Sequence, residues 1–270
     1  MPDTTAGTLP FQGRKDEDLP GHWLLARMGK RVLRPGGLEL TEKLLADASL
    51  AGADVVELAP GLGKTAKDIL AIGPNSYVGV EADPQAVALT EQAVAGRGEV
   101  RHGDADATGL EAASADAVVG EAMLTMQTDR GKTAIIEEAF RVLRPGGRYA
   151  IHELSLHPDT LSDDAKTEIR KALARSIKVN ARPLTEAEWR AILEQSGFIV
   201  EKVDFAPMAL LETRRVIADE GVVGTLKIVL NVLRNAAARK RILAMRSVFT
   251  KYSDEMAAIE VIARKPDDAA

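Results

Sequence analysis

The sequence has 270 residues, of which 46% are hydrophobic and 28% are charged, a composition that suits one α/β domain with additions. A net charge of −5 and an aromatic content of only 4% give no basic footprint and few base-stacking side chains, so nucleic acid is not an expected partner. The absence of cysteine excludes disulfides, thiolate metal sites and cysteine nucleophiles.

The N-terminal part predicts a flexible arm over residues 1–20, because Pro2, Pro10, Gly13 and Pro20 oppose regular structure. It lacks the basic-then-apolar order of a signal peptide, and no uncharged apolar run in the chain has the ~18–20 residues that span a bilayer. We therefore expect a cytoplasmic protein. Two helices, at about 21–33 and 38–48, predict a helical cap over residues 21–50.

From residue 51 the chain alternates between strand and helix patterns. Strands are predicted at 54–58, 77–80, 100–102, 117–120, 148–152, 198–205 and 258–263, and helices at 64–72, 84–95, 133–143 and 186–196. This alternation predicts βαβ units and a doubly wound, mostly parallel sheet, with a core over residues 51–208. Helical periodicity over 209–251 interrupts it, so we assign 209–256 to a helical insertion or lid and 257–270 to the final strand and tail.

The segment Glu57–Gly63 places a Gly-x-Gly turn between a predicted strand and a predicted helix. Glycine there allows a ligand close to the backbone, and the helix N-terminus attracts negative charge. A phosphate-binding P-loop would need glycine at Leu58, and the dinucleotide fingerprint would need glycine at Ala66. Neither glycine is present.

Three further segments follow in order: Val78–Pro84, in which a strand ends in an acid; Arg101–Ala105, with Gly-Asp-Ala; and Glu138–Gly147, ending in Arg-Pro-Gly-Gly. Together with Glu57–Gly63, these segments resemble the class I (Rossmann-like) S-adenosylmethionine-dependent methyltransferases, in style closest to those of quinone biosynthesis. The resemblance implies a seven-stranded sheet with its last strand antiparallel. It also implies S-adenosylmethionine as cofactor and S-adenosylhomocysteine as product.

The resemblance assigns the adenosine end of the cofactor to residues after the second and third strands. Glu81, beside Ala82, would bind the ribose diol with two hydrogen bonds. Asp104 would accept from the adenine amino group while the Ala105 N–H binds a ring nitrogen; Asp106 is a nearby alternative to Asp104.

The methionine end would lie against the backbone of Ala59, Gly61 and Gly63, with Glu57 near the ammonium group. Ala59 stands where the family has its first glycine. Glu121, after the fourth strand, would contact either the methionine end or the acceptor.

Methyl transfer depends mainly on positioning, and a base is needed only for a weakly nucleophilic acceptor. We take His152 and Glu121 as the catalytic candidates, at the carboxyl ends of the fifth and fourth strands. His22 and His157 are further candidates. The histidines are dispersed, so no metal site is expected.

The helical insertion over residues 209–256 gives evidence on the chemistry of the methyl acceptor. It contains an apolar stretch, Gly221–Leu233, which is followed by a basic stretch over residues 234–246. It predicts a packed helix with a solvated basic end, a lid over an apolar pocket, or peripheral membrane contact. We expect a small, apolar acceptor; the oligomeric state stays open. The alternatives are a non-catalytic adenosylmethionine-binding module or partner subunit, and a nicotinamide-dependent oxidoreductase.

Overall fold

The computed structural model describes residues 9–11 and 13–267, in which one eight-stranded sheet runs in the order β3-β2-β1-β4-β5-β8-β7. The strands are β1 (Asp54–Leu58), β2 (Ser76–Glu81), β3 (Glu99–His102), β4 (Ala115–Glu121), β5 (Leu143–Leu156), β6 (Leu184–Thr185), β7 (Ile199–Pro207) and β8 (Met256–Arg264). The two-residue β6 pairs with β5 beside the main path and is the one addition to the seven expected strands.

The strand directions confirm the predicted fold class. Strands β1 to β5 pair in parallel, and β8 is antiparallel to both β5 and β7. From β1 the chain first adds β2 and β3 on one side of β1. It then crosses over, and β4 and β5 are added on the other side. In open α/β sheets, ligands bind beyond the carboxyl ends of the strands at this kind of switch point.

The helices lie on both faces of the sheet and at one end of it. They are α1 (Gly21–Met28), α2 (Gly37–Asp47), α3 (Lys64–Ile72), α4 (Pro84–Val94), α5 (Asp129–Val142), α6 (Asp163–Ile177), α7 (Glu186–Gln195), α8 (Thr213–Arg234) and α9 (Ala236–Lys251). A short 3-10 turn, Leu124–Met126, precedes α5.

Neighbouring strand residues contribute to opposite faces, as the two-residue period of a strand requires. Val55 joins a core with residues of α2, α3 and α4, whereas Val56 joins a core with residues of α5 and α7. A third core lies at the carboxyl end of β5, where Leu154 and Leu156 pack with α1, α6 and α9. This third core holds the helical cap against the edge where a ligand would bind.

Three local predictions need correction. Helix α1 ends at Met28 and not near Leu33, because Gly29 has a φ of 109° and stops the helix. Helix α6 was not predicted, although Ser162 caps it through the Ala165 N–H. The described part of the expected flexible arm packs on the protein, since Leu19 is fully buried; residues 1–8 and 12 lie outside the described residues.

Candidate active site

The turn after β1 has backbone angles that few side chains tolerate. Gly61 and Gly63 have positive φ values of 59° and 67°. A Cβ on Gly63 would lie 2.4 Å from the Ala93 Cβ, so the packing of α3 against α4 requires glycine there. Ala59 also has a positive φ, 53°, and its N–H donates to the Val80 carbonyl at 2.8 Å. Ala59 thus adopts a left-handed conformation that glycine tolerates better, at the cost of some backbone strain.

Glu81 is the last residue of β2, and its side chain reaches the turn between β1 and α3. Its two carboxylate oxygens accept from the Gly61 N–H and the Asp83 N–H, each at 3.0 Å. The side chain is nearly buried, and burial raises the pKa of its carboxyl despite these bonds. Each oxygen has one protein donor and retains acceptor capacity towards the adjacent space.

A cleft of about 530 Å³ opens beside this turn. Of the residues predicted for the cofactor, six line it: Glu57, Ala59, Gly61, Glu81, Ala82 and Glu121. Gly63 lies behind the turn, against α4. The cleft is also lined by Trp23, Arg31 and Arg34 from the N-terminal part of the chain. The strand ends and the N-terminal cap therefore enclose it together.

Glu57 lies at the inner end of the cleft and is almost completely buried. Burial raises the pKa of its carboxyl to about 8, although the Tyr77 hydroxyl donates to it at 2.6 Å. A cationic group that entered the cleft near Glu57 would favour its ionised form.

Glu121 is the centre of a buried polar network. Its oxygens accept from the hydroxyls of Thr41 and Thr65 at 2.5 Å and 2.6 Å, and the Arg34 Nε lies at 3.1 Å. Burial alone would raise the pKa of this carboxyl, but Arg34, His152 and the hydroxyl donors lower it to about 2. Glu121 is therefore an anion at neutral pH and a weak base towards a substrate.

His152 is a correction to the catalytic prediction. The ring is fully buried and does not line the cleft. Its Nε2 accepts from the Gly36 N–H at 3.0 Å, so Nδ1 carries the proton and donates to Glu121 at 3.0 Å. With both nitrogens occupied, His152 orients Glu121 and cannot reach an acceptor.

Asp104 and Ala105 lie near the cleft but not in its lining. The register pairs Glu81 with His102, and the Gly103 N–H donates to the Glu81 carbonyl, so Asp104 follows at the same edge of the sheet. Asp104 and Asp106 are both exposed, whereas Ala105 packs against the core beside Ala59 and Val78. Adenine binding by Asp104 and Ala105 stays a prediction.

A second, narrow apolar cavity adjoins the cleft. The two share His22, Leu33, Ala122 and Met126, and the cavity continues between residues of α1, α6 and α9 such as Leu25, Leu173 and Phe249. An apolar pocket beneath the insertion is one of the sequence-based interpretations, but the sequence does not predict its walls, because they come from segments far apart in the chain.

His22 lies at the junction of the cleft and the apolar cavity. Burial lowers the pKa of its imidazole to about 4, so the ring is neutral at pH 7. Among the described residues no hydrogen bond to the ring is found. His157, the other histidine candidate, is absent from the lining of both cavities.

Three carboxylates, Asp47, Asp204 and Glu260, approach one another between α2, β7 and β8. Lys43 pairs with Asp204, and Lys202 lies 2.6 Å from Asp47. Burial, and then Asp47, raise the pKa of Glu260 to about 7. The two ammonium groups make this cluster an ion-pair network that joins α2 to the sheet, away from the cleft.

Comparison with known proteins gives a consistent result. The family described as methyltransferase domain matches residues 56–151. An uncharacterised protein of Haemophilus influenzae is 33% identical over 255 residues, which cover 92% of this chain and 99% of that protein. A Mycolicibacterium smegmatis protein, described as a probable S-adenosylmethionine-dependent methyltransferase, is 33% identical over 56% of this chain and 54% of its own length.

The fold has relatives among solved structures. Phosphoethanolamine N-methyltransferase 2 of Haemonchus contortus, solved with S-adenosyl-L-methionine, aligns with a TM-score of 0.69 at 18% identity. The alignment covers 95% of this chain and 58% of that one. At this identity the likeness concerns the fold.

Proposed function

The chain belongs to the class I S-adenosylmethionine-dependent methyltransferases, and on that basis we propose that it methylates a small acceptor with an apolar arm. The enzyme class and the cofactor follow from the family. The more specific resemblance to the quinone-biosynthesis enzymes has no support in the comparisons. The observation that carries the choice of acceptor is the apolar cavity that adjoins the cleft.

Hydrogen-bond donors and acceptors along the cleft support the proposed cofactor site. Glu81 keeps acceptor capacity on both oxygens, which suits two ribose hydroxyls. We propose that Gly61 and Ala59 follow the methionine part and that Asp104, just beyond the lining, closes over the adenine. When bound, S-adenosylmethionine supplies an electrophilic methyl group on a sulfonium.

At the methionine end, Glu57 and Glu121 have separate tasks. Glu57 lies in the lining with a pKa near neutrality, so an ammonium group beside it would draw it into the ionised form. Glu121 uses its oxygens on Arg34, His152 and two threonine hydroxyls. We propose that Glu57 binds the ammonium group and that Glu121 maintains the shape of the cleft.

The acceptor would place its apolar arm in the second cavity and its reacting atom at the mouth, between His22 and Ala122. The cavity is narrow and apolar, with Leu25, Leu173 and Phe249 in its walls. Burial of a slim hydrocarbon group there is favourable because it removes apolar surface from water. With an imidazole pKa of about 4, His22 is a weak base, so alignment of the acceptor would supply most of the rate.

The test is methyl transfer from radiolabelled S-adenosylmethionine to matched amine or hydroxyl acceptors that differ in alkyl chain length. We expect kcat/KM to rise with chain length, and Leu210→Gln, in the cavity wall, to lower that gain at least tenfold while adenosylhomocysteine affinity is kept. The control is Leu211→Gln, since Leu211 is equally half-buried but outside the cavity. Equal loss in both variants, or a preference for acceptors without an alkyl chain, would contradict the proposal.

A further inference from the structure

The helical pair before the last strand has an unusual charge. No aspartate or glutamate occurs between Gly221 and Ser253, whereas seven lysine and arginine residues do, in a chain whose net charge is −5. They are Lys227, Arg234, Arg239, Lys240, Arg241, Arg246 and Lys251. Within residues 9–11 and 13–267, ion pairs from this set are found only for Lys251, with Glu168. The segment is thus a locally cationic surface on an anionic protein.

Helix α8 exposes an apolar stripe within the same segment. Leu226, Val229 and Leu233 follow Val222 at helical spacing, and they are exposed by 58%, 45% and 58%. Val223, with 83% exposure, and Leu230 lie beside the stripe. A contiguous exposed stripe of this kind marks an interaction surface in most soluble proteins.

The opposite side of α8 holds the helix to the protein. The Asn231 amide donates to the Met28 carbonyl at 3.0 Å, and Val232 packs against the third core. Before the stripe begins, Asp219 accepts from the Leu38 N–H, and Glu220 accepts from the Arg31 and Val32 N–H groups. Asp219 and Glu220 lie before a break in α8 at Gly221, where φ and ψ are 70° and 171°, so they anchor the start of the helix. In the part that carries the stripe, Asn231 and Val232 contact the protein, and the stripe points outward.

Lys227 and Arg234 lie along one border of the stripe, since each follows a stripe residue by one position, which is a rotation of about 100° on the helix. Both are exposed. An outward apolar stripe with cations at its border is the arrangement of helices that lie in the plane of a lipid surface. No helix among the described residues is long and apolar enough to cross a membrane.

We propose that α8 docks this protein on the surface of an anionic lipid bilayer, with Val222, Val223, Leu226, Val229, Leu230 and Leu233 inserted between headgroups. The positive charge of residues 221–253 favours an anionic lipid surface over a second copy of the chain. A symmetric second copy would bring two cationic surfaces together, and like charges repel. Phosphate headgroups instead attract Lys227, Arg234 and the exposed cations of α9.

The test is flotation of the full-length protein with two kinds of vesicle, one of phosphatidylcholine alone and one with a third of phosphatidylglycerol, at low and at physiological salt. We expect binding to the anionic vesicles, weaker at higher salt, and at least tenfold less binding to phosphatidylcholine. Leu226→Gln with Leu233→Gln should lower binding to anionic vesicles at least tenfold. Lys227→Gln with Arg234→Gln should lower it most at low salt, because screening reduces their contribution.

The control is Ile199→Gln with Phe205→Gln, because these residues are exposed by 47% each on β7, outside α8. This variant should bind as the unchanged protein does. The proposal is overturned if the protein ignores anionic vesicles, or if the α8 and β7 variants lose binding equally. It is also overturned if the α8 variant abolishes a dimer seen by sedimentation velocity, since that would assign the stripe to a second copy. None of these outcomes depends on methyl transfer.

Discussion

Two carboxylates at the ends of β2 and β4, the strands on either side of β1, have pKa values that are shifted in opposite directions. Glu81 is buried beside backbone N–H groups only, and burial raises the pKa of its carboxyl. Glu121 is buried as well, but Arg34, His152 and threonine hydroxyls hold the pKa of its carboxyl at about 2. The Glu81 carboxylate has no charged partner, so its oxygens can still accept hydrogen bonds from a ligand. The oxygens of Glu121 are already used by Arg34 and by hydroxyl donors of the protein.

This difference leads to a prediction at Glu81. Glu81→Ala should weaken adenosylhomocysteine binding by about 100-fold or more, because two charge-assisted hydrogen bonds to the ribose are lost at roughly 1.5–3 kcal/mol each. Calorimetric titration measures the affinity. Glu91→Ala, an exposed acid on α4, should leave it unchanged. An affinity within threefold of the original would refute the assignment of Glu81 to the diol.

At the scale of elements, the start of α3 depends on contact with α4. Gly63 caps α3 in the left-handed region, with the Thr90 Cα 3.1 Å from where a Cβ would lie and the Ala93 Cβ closer still. Gly73, at the other end of the same helix, also has a positive φ, 85°, but nothing lies within 4 Å of a Cβ there. Substituting alanine at Gly73 therefore measures the free-energy cost of the left-handed backbone alone, whereas at Gly63 it also includes the cost of steric overlap with α4.

Gly63→Ala should lower the free energy of unfolding by about 2–4 kcal/mol, since a left-handed alanine costs about 1 kcal/mol and overpacking adds roughly 1–3 kcal/mol. Gly73→Ala should cost only about 1 kcal/mol. Urea denaturation monitored by circular dichroism measures both. If the two variants were equally stable, close packing would not be the reason for glycine at position 63.

At the scale of the molecule, Glu121 joins segments that are distant in the chain. Its partners come from the loop before α2, from α2 itself, from α3 and from β5. The network thereby ties the N-terminal cap to the sheet at the edge of the cleft. Removing the carboxylate would leave the Arg34 guanidinium buried at 7% side-chain exposure without its partner.

Glu121→Gln should lower the free energy of unfolding by about 3 kcal/mol at pH 7, because breaking a buried ion pair leaves an uncompensated charge. The pKa of Glu121 lies below its ordinary value, so its contribution is complete above about pH 4.5 and is lost as the pH falls towards 2. The difference between the original protein and the variant should therefore shrink between pH 5 and pH 3.

Chemical denaturation at pH 7, 5 and 3 gives the three differences. Glu42→Gln is the matched control, since Glu42 is exposed and adjacent to Thr41 on α2. It should change stability by less than about 0.5 kcal/mol at each pH. A difference for Glu121→Gln that stays constant down to pH 3 would show that this carboxyl does not titrate as its surroundings require.

Much of the fold was predictable because its signals are local. The alternation of strands and helices over residues 54–152, the turn at Glu57–Gly63 and the acid that ends β2 each depend on residues within one short segment. Local signals are not sufficient everywhere: α6, which Ser162 caps locally, is not among the predicted helices, and the predicted α1 extends past Gly29. The directions of the strands followed from the family resemblance and were confirmed, whereas their order in the sheet comes from the structure.

The sequence by itself determined the fold class, the family and the position of the glycine turn between β1 and α3. Only the tertiary structure decided that Glu121 is ionised and that the His152 ring lies outside the cleft lining, because both residues depend on contacts with Arg34, Gly36 and Thr41, which are distant in sequence. It also decided that His22 lies between a polar cleft and an apolar cavity, and that the apolar residues of α8 face outward. Periodicity gives a helix an apolar side, but burial depends on which other element covers that side.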